Sequence, residues 1–157
     1  MKQSEYLYLS HNASNLVYHI VCPAKYRRVV FDETVDQHIR QICLEIEKRY
    51  DYIKFLEIGT DNDHVHFLIQ STPNYSPSQL VKIIKSITAG QIFVECPQVK
   101  KKLWGGQFWT DGYFVSTVGK NQNEMVIREY VRSQGKQDDE YKQLHFAFHD
   151  RAGEDTP

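Results

Sequence analysis

The chain has little with which to staple itself. Its three cysteines, Cys22, Cys43 and Cys96, are odd in number and far apart, and two lie inside apolar patterns. Neither a disulfide framework nor a Cys-ligated zinc site is expected, and a reducing cytoplasm is the compartment that fits. No apolar run approaches the roughly 18 residues that a bilayer span requires. The amino terminus, Met1-Lys2-Gln3-Ser4-Glu5, lacks the hydrophobic stretch of a secretion signal. A soluble, unprocessed protein with no membrane partner is expected. A Walker-type glycine loop is also missing, which argues against chemistry driven by nucleotide hydrolysis. With a formal net charge of −1 there is no uniformly basic coat for nucleic acid either.

What charge there is lies unevenly. The tail from Lys136 onward carries three basic residues (Lys136, Lys142, Arg151) against six acids, so the rest of the chain is net positive. Basic clusters stand at Lys25, Arg27 and Arg28, at Lys82 and Lys85, and at Lys100, Lys101 and Lys102. Ten tyrosines and eight phenylalanines offer surfaces on which single-stranded bases can stack, although aromatic residues also fill ordinary cores. The 157 residues suffice for one domain with its own core. Residues 1–135 are expected to form it, with 136–157 a polar, acidic tail.

Periodicity gives the order of elements. Leu16 to Val21 alternates as a strand closed by Pro23. Asp32 can cap a helix whose apolar positions are Val35, Ile39, Ile42, Cys43, Ile46 and Tyr50. A strand follows over Ile53 to Ile58, then the turn signal Gly59-Thr60-Asp61-Asn62-Asp63, then the strand His64-Val65-His66-Phe67-Leu68-Ile69-Gln70. Ser76, Pro77 and Gln79 open a helix striped by Leu80, Ile83, Ile84 and Ile87, which ends before Pro97. A lysine-rich loop leads to a fourth strand, Gly112 to Val118, and Asn121 with Glu124 opens a last helix carrying Tyr130. The β-α-β-β-α-β order predicts an α+β, ferredoxin-like split βαβ sandwich, with helices on one face of an antiparallel sheet and the other face open.

On the histidine strand alternate side chains leave the same face, so His64 and His66 converge while Val65, Phe67 and Ile69 form an apolar row behind them. That is half of a possible metal site. The other half is Tyr130 and Gln134, four residues apart on one helix face. Two imidazoles and an amide oxygen are neutral donors suited to Mg2+ or Mn2+ more than to structural zinc. A cation so held keeps its charge available to a phosphodiester, which a tyrosine could attack to give a phosphotyrosine and a free hydroxyl. Singly, each element also has an ordinary reading: histidines two apart often pack on a polar face, and a tyrosine on an amphipathic helix often fills a core. His145 and His149 are read as surface residues, and His11, His19 and His38 are assigned no role.

Several further runs carry a resemblance: Tyr18-His19-Ile20-Val21-Cys22-Pro23-Ala24-Lys25-Tyr26-Arg27-Arg28, the histidine strand after Asp61-Asn62-Asp63, Phe108 to Gly119, and the Tyr130 to Gln134 spacing. Over about Val17 to Gln134 the chain resembles the single-tyrosine HUH transposases, the TnpA proteins of the smallest insertion sequences. The resemblance implies His64, His66 and Gln134 as metal ligands and Tyr130 as nucleophile. It further implies a homodimer whose tyrosine helix completes the partner's site, with Gly119 near the swing point, although Lys120 stands where some relatives have a second glycine. The implied substrate is single-stranded DNA with hairpin ends, nicked and rejoined through a 5′-phosphotyrosine. By charge, Lys25, Arg27 and Arg28 are candidates for DNA backbone contacts. Two alternatives remain: a chromosomally kept HUH enzyme acting on repetitive palindromes, and a catalytically silent hairpin-binding module.

Overall fold

A computed structural model describes residues 6–103, 106–119 and 122–133. Gln134, Asn121 and the acidic tail lie outside the described residues, as do the positions of His145 and His149. The elements run β1 (Leu7–Tyr8), β2 (Ala13–Ser14), β3 (Leu16–Pro23), a 3-10 turn (Lys25–Arg27), α1 (Glu33–Arg49), β4 (Lys54–Asp61), β5 (His64–Ser71), α2 (Pro77–Glu95), α3 (Pro97–Lys102), β6 (Phe114–Thr117) and α4 (Gln122–Arg132). Four strands form one antiparallel sheet in the order β4-β5-β3-β6, which is the split βαβ topology expected. The short β1–β2 hairpin stands apart from it.

Local chemistry sets the helix starts. The Asp32 carboxylate accepts the Val35 N–H at 2.9 Å and caps α1, which buries Val35, Ile39, Ile42, Cys43 and Ile46. At α2 the Ser76 hydroxyl accepts the Gln79 N–H at 3.1 Å while the Gln79 amide oxygen accepts the Ser76 N–H at 2.8 Å, a complete capping box. These two helices cover one sheet face over Ile20, Cys22, Val65, Phe67 and Ile69. None of the described helices is long and apolar enough to cross a membrane.

Several boundaries differ from the periodicity. Pro23 closes its strand from within, as the last residue of β3: it pairs with His64, and its carbonyl accepts the Thr110 N–H at 3.1 Å. Gly59, Thr60 and Asp61 belong to β4, paired with His66, Val65 and His64, so the hairpin turn is only Asn62 and Asp63. The lysine-rich stretch after Pro97 is not all loop. Pro97 at the first turn starts the six-residue α3, which Val99 anchors in the core.

The segment between α3 and β6 is pinned to α2. Trp109 Nε1–H donates to Thr88 Oγ1 at 2.9 Å, and the Thr88 hydroxyl donates to the Ile84 carbonyl at 2.6 Å. Lys85 spreads its ammonium over the carbonyls of Thr110, Asp111 and Gly112 at 2.6, 3.2 and 3.0 Å. One member of the Lys82/Lys85 cluster is thus a loop brace.

A candidate metal and nucleophile site

The sheet face opposite α1 and α2 is not open. α4 lies against β4 and β5, with Val131 buried and Tyr130 only 6% exposed. Every residue of β5 is buried on one side or the other, His64 and His66 at 1% and 0% exposure. Strand periodicity reports which residues share a face, but not what later covers it. Two arginines tie α4 to the sheet: Arg132 reaches the Glu57 carboxylate at 2.5 Å and Arg128 approaches the same oxygen at 3.6 Å.

On this face the two imidazoles lie with ring centroids 5.0 Å apart. The Tyr130 ring stands edge-on to His66 at 5.5 Å and 89°. Gly59 pairs directly with His66 across the ladder. His64, His66 and Tyr130 are therefore brought together within one chain.

Each histidine is held from behind. The His64 Nδ1–H donates to Asp63 Oδ1 at 2.8 Å, and the other oxygen of that carboxylate takes the Arg27 Nε–H at 3.0 Å. For His66 the partner is His19: the two ring nitrogens, His66 Nδ1 and His19 Nε2, are 2.8 Å apart. His66 Nε2 is buried with no hydrogen-bond partner among the described residues. A backing bond to Nδ1 that leaves Nε2 to ligate is how metal-binding histidines are usually fixed in tautomer and orientation. The donor set thus fits a divalent ion. Among the described residues no cluster of three or more His, Cys, Asp or Glu gathers, so the fit is to two imidazoles plus a ligand of another type. Gln134, the amide expected there, lies outside the described residues.

The electrostatics keep the stacked His19 and His66 imidazoles neutral. Burial, then the neighbouring His19 and His64, push the His66 imidazole well below its usual range. Burial takes His19 down to about 4. Burial alone would raise the Asp63 carboxyl, but the His64 hydrogen bond and the Arg27 charge outweigh it and hold it low.

His19 and Asp63 are the residues that sequence reasoning missed. His19 alternates with Ile20 on β3 and so shares a face with its neighbours' histidines, a signal usable only once strand order is known. Asp63 read as a turn residue. Of the basic candidates, Arg27 pairs with Asp63 and also lines, with Tyr26, the exposed Arg28, Val29 and Lys102, an open cleft of about 560 Å³. The Lys25 ammonium sits 5.3 Å from the Tyr26 ring centroid.

The fold and the His-His-Tyr arrangement define a transposase of the IS200-like class: that family matches residues 12–134, and the chain belongs to it. Among particular relatives, the chain is 34% identical over 119 residues to the ISDra2 transposase TnpA of Deinococcus radiodurans, covering 76% of this chain and 84% of that one. It is 31% identical over 140 residues to the transposase for insertion sequence element IS200 of Salmonella typhimurium, covering 87% and 88%. A solved transposase structure from Deinococcus radiodurans R1 superposes with a TM-score of 0.62 at 28% identity, over 85% of this chain and 97% of that chain. A REP-associated tyrosine transposase bound to a REP hairpin superposes at 0.54 over 80% and 69%; at 10% identity this is a likeness of fold alone.

Proposed function

We propose that this transposase nicks and rejoins single-stranded DNA at hairpin-bearing insertion-sequence ends through a 5′-phosphotyrosine intermediate, with Mg2+ or Mn2+ as cofactor. The observation that carries the reading is the Tyr130 ring 5.5 Å from the His66 imidazole, in a site where both strand histidines are backed through Nδ1. His64 and His66 would hold the ion through Nε2, with Gln134 as third ligand. Bound there, such an ion would supply Lewis-acid stabilisation of the charge on the phosphodiester.

Tyr130 supplies the nucleophile. Its Oη–P bond forms as the P–O3′ bond breaks; the phenolic proton is released and the departing O3′ takes one up. The enzyme keeps the 5′-phosphate as an ester, so attack by another 3′-hydroxyl restores a phosphodiester without an external energy source. Lys25 and Arg28 would meet backbone phosphates, and the exposed Tyr26 ring beside Lys25 would take a stacked base of the strand. The fold shared with a transposase bound to a REP hairpin supports hairpin DNA as the partner. The four-residue β6 lies at one edge of the sheet, and pairing two such edges would build the homodimer. A cytoplasmic location belongs to the same reading.

Tyr130→Phe tests it. The variant should cut labelled single-stranded DNA at less than about 10⁻³ of the wild-type rate, since it lacks only the attacking oxygen, while binding hairpin DNA nearly as well. A retained covalent protein–DNA adduct on a denaturing gel would show that another residue attacks. Native mass measures the dimer. Mixing Tyr130→Phe protein with His64→Ala/His66→Ala protein then locates the helix: restored cleavage places it on the partner, and none keeps it on its own chain, as packed here.

A further inference from the structure

Tyr26 and Arg27 are the only non-glycine residues among those described with positive φ, at 56° and 53°. Left-handed backbone at two successive side-chain-bearing residues costs roughly 1–2 kcal/mol each, so something must hold it. The turn is stitched to the β4–β5 hairpin and to the segment before β6: Ala24 N–H donates to the Asp63 carbonyl at 2.8 Å, Lys25 N–H to the Phe108 carbonyl at 2.8 Å, and Val30 N–H to the Asn62 carbonyl at 3.0 Å. The result turns Tyr26 outward, 57% exposed, and sends Arg27 inward to a carboxylate that is itself bonded to His64.

We propose that Arg27 is a positioning residue of the metal site, acting through Asp63 on His64, and not a DNA contact. This rests on the reading of His64 as a ligand. The geometry gives each Asp63 oxygen one task, Oδ1 on His64 and Oδ2 on Arg27. A carboxylate bonded at one oxygen can rotate about its last torsion; bonded at both it cannot, and the imidazole plane is fixed with it. The side chains are about a quarter and a fifth exposed, so water competes for Asp63 once the guanidinium is gone. Outer partners of this kind typically change metal affinity 10- to 100-fold when removed. The strained turn therefore has a function: it brings a cation from the end of β3 to the back of a ligand on β5 and leaves Arg28 and Tyr26 for the strand.

The test is a titration of the full-length protein with Mn2+ alone, beside its affinity for single-stranded DNA in EDTA. Arg27→Ala is expected to weaken Mn2+ binding about tenfold or more while losing less DNA affinity in EDTA than Arg28→Ala, which should bind Mn2+ as wild type does. In an Asp63→Ala background, Arg27→Ala should weaken Mn2+ binding by less than about twofold further, because the path through Asp63 is already broken. Additive losses, or unchanged Mn2+ affinity in folded Arg27→Ala, overturn the proposal. If circular dichroism shows Arg27→Ala unfolded, Arg27→Lys takes its place: it keeps the charge and loses the fork, and wild-type Mn2+ affinity there would equally overturn it. His64→Ala separates the two levels. If that variant keeps wild-type Mn2+ affinity, the site reading itself fails; if it loses affinity and Arg27→Ala does not, only the role of Arg27 fails.

Discussion

His19→Phe is the sharpest probe of how the site is held. For His66 to offer Nε2 to a metal, its Nδ1 must carry the proton and donate to His19 Nε2, 2.8 Å away. Phenylalanine keeps the ring that packs edge-on against Tyr130 at 6.2 Å and Phe114 at 6.0 Å, but it cannot accept. With His66 fully buried, the orphaned N–H costs about 1–3 kcal/mol, a fall in Tm of roughly 3–10 °C for a chain of this size. The ring can escape that cost by moving its proton to Nε2, the nitrogen the metal needs. Mn2+ affinity should therefore drop about 10- to 100-fold, read by isothermal titration beside a thermal scan in EDTA. His19→Gln, whose amide oxygen can accept, should recover part of both losses. A folded His19→Phe protein with wild-type Mn2+ affinity would refute the reasoning, since it would show that the imidazole contact fixes nothing.

Other outcomes follow from neighbouring contacts. His64→Ala and His66→Ala should each abolish measurable Mn2+ binding and cleavage, whereas Gln134→Ala should lose less, an amide oxygen being the weaker ligand; unchanged Mn2+ affinity in both histidine variants would remove the metal site. Thr88→Val keeps the shape of the side chain but strips Trp109 Nε1–H of its buried acceptor at 2.9 Å, so Tm should fall by roughly 3–10 °C, from a cost of about 1–3 kcal/mol. Asp32→Ala removes the cap on the Val35 N–H and should cost about 1 kcal/mol in urea unfolding, with no change in Mn2+ affinity.

The elements most legible in the sequence are those set by contacts near in the chain. The Asp32 cap and the Ser76–Gln79 box act over three residues, and the His64/His66 face follows from strand alternation, so each could be read directly. What escaped depended on partners far away. Gly59-Thr60-Asp61 has turn composition, yet cross-strand bonds to His66, Val65 and His64 keep it extended. The role of Asp63 requires Arg27, 36 positions earlier, and that of His19 requires His66, 47 positions later. α3 is polar except for Val99, and a single anchor gives no periodicity to recognise. The cover over the histidines comes from α4, whose docking on β4 uses Glu57 and two arginines rather than a pattern within either segment.

The distribution of charge explains why the backing group on His64 comes as a pair. The proposed ligand set of two imidazoles and an amide would add no negative charge, so an ion held there would keep its full charge for an anionic phosphodiester. The carboxylate behind His64 would work against that, because an ionised Asp63 without a counter-charge would set a negative charge one imidazole away from the proposed ion. Arg27, at 3.0 Å from the outer oxygen, cancels it while leaving the inner oxygen to hold the ring. His66 meets the same need differently: its partner is an imidazole that burial keeps neutral, so orientation there requires no counter-charge. One histidine faces a buried neighbour and can use a neutral acceptor; the other sits at the half-exposed hairpin turn, where a charge-assisted bond competes better with water. Two solutions on one strand thus reach the same end, oriented imidazoles with no net negative charge behind them.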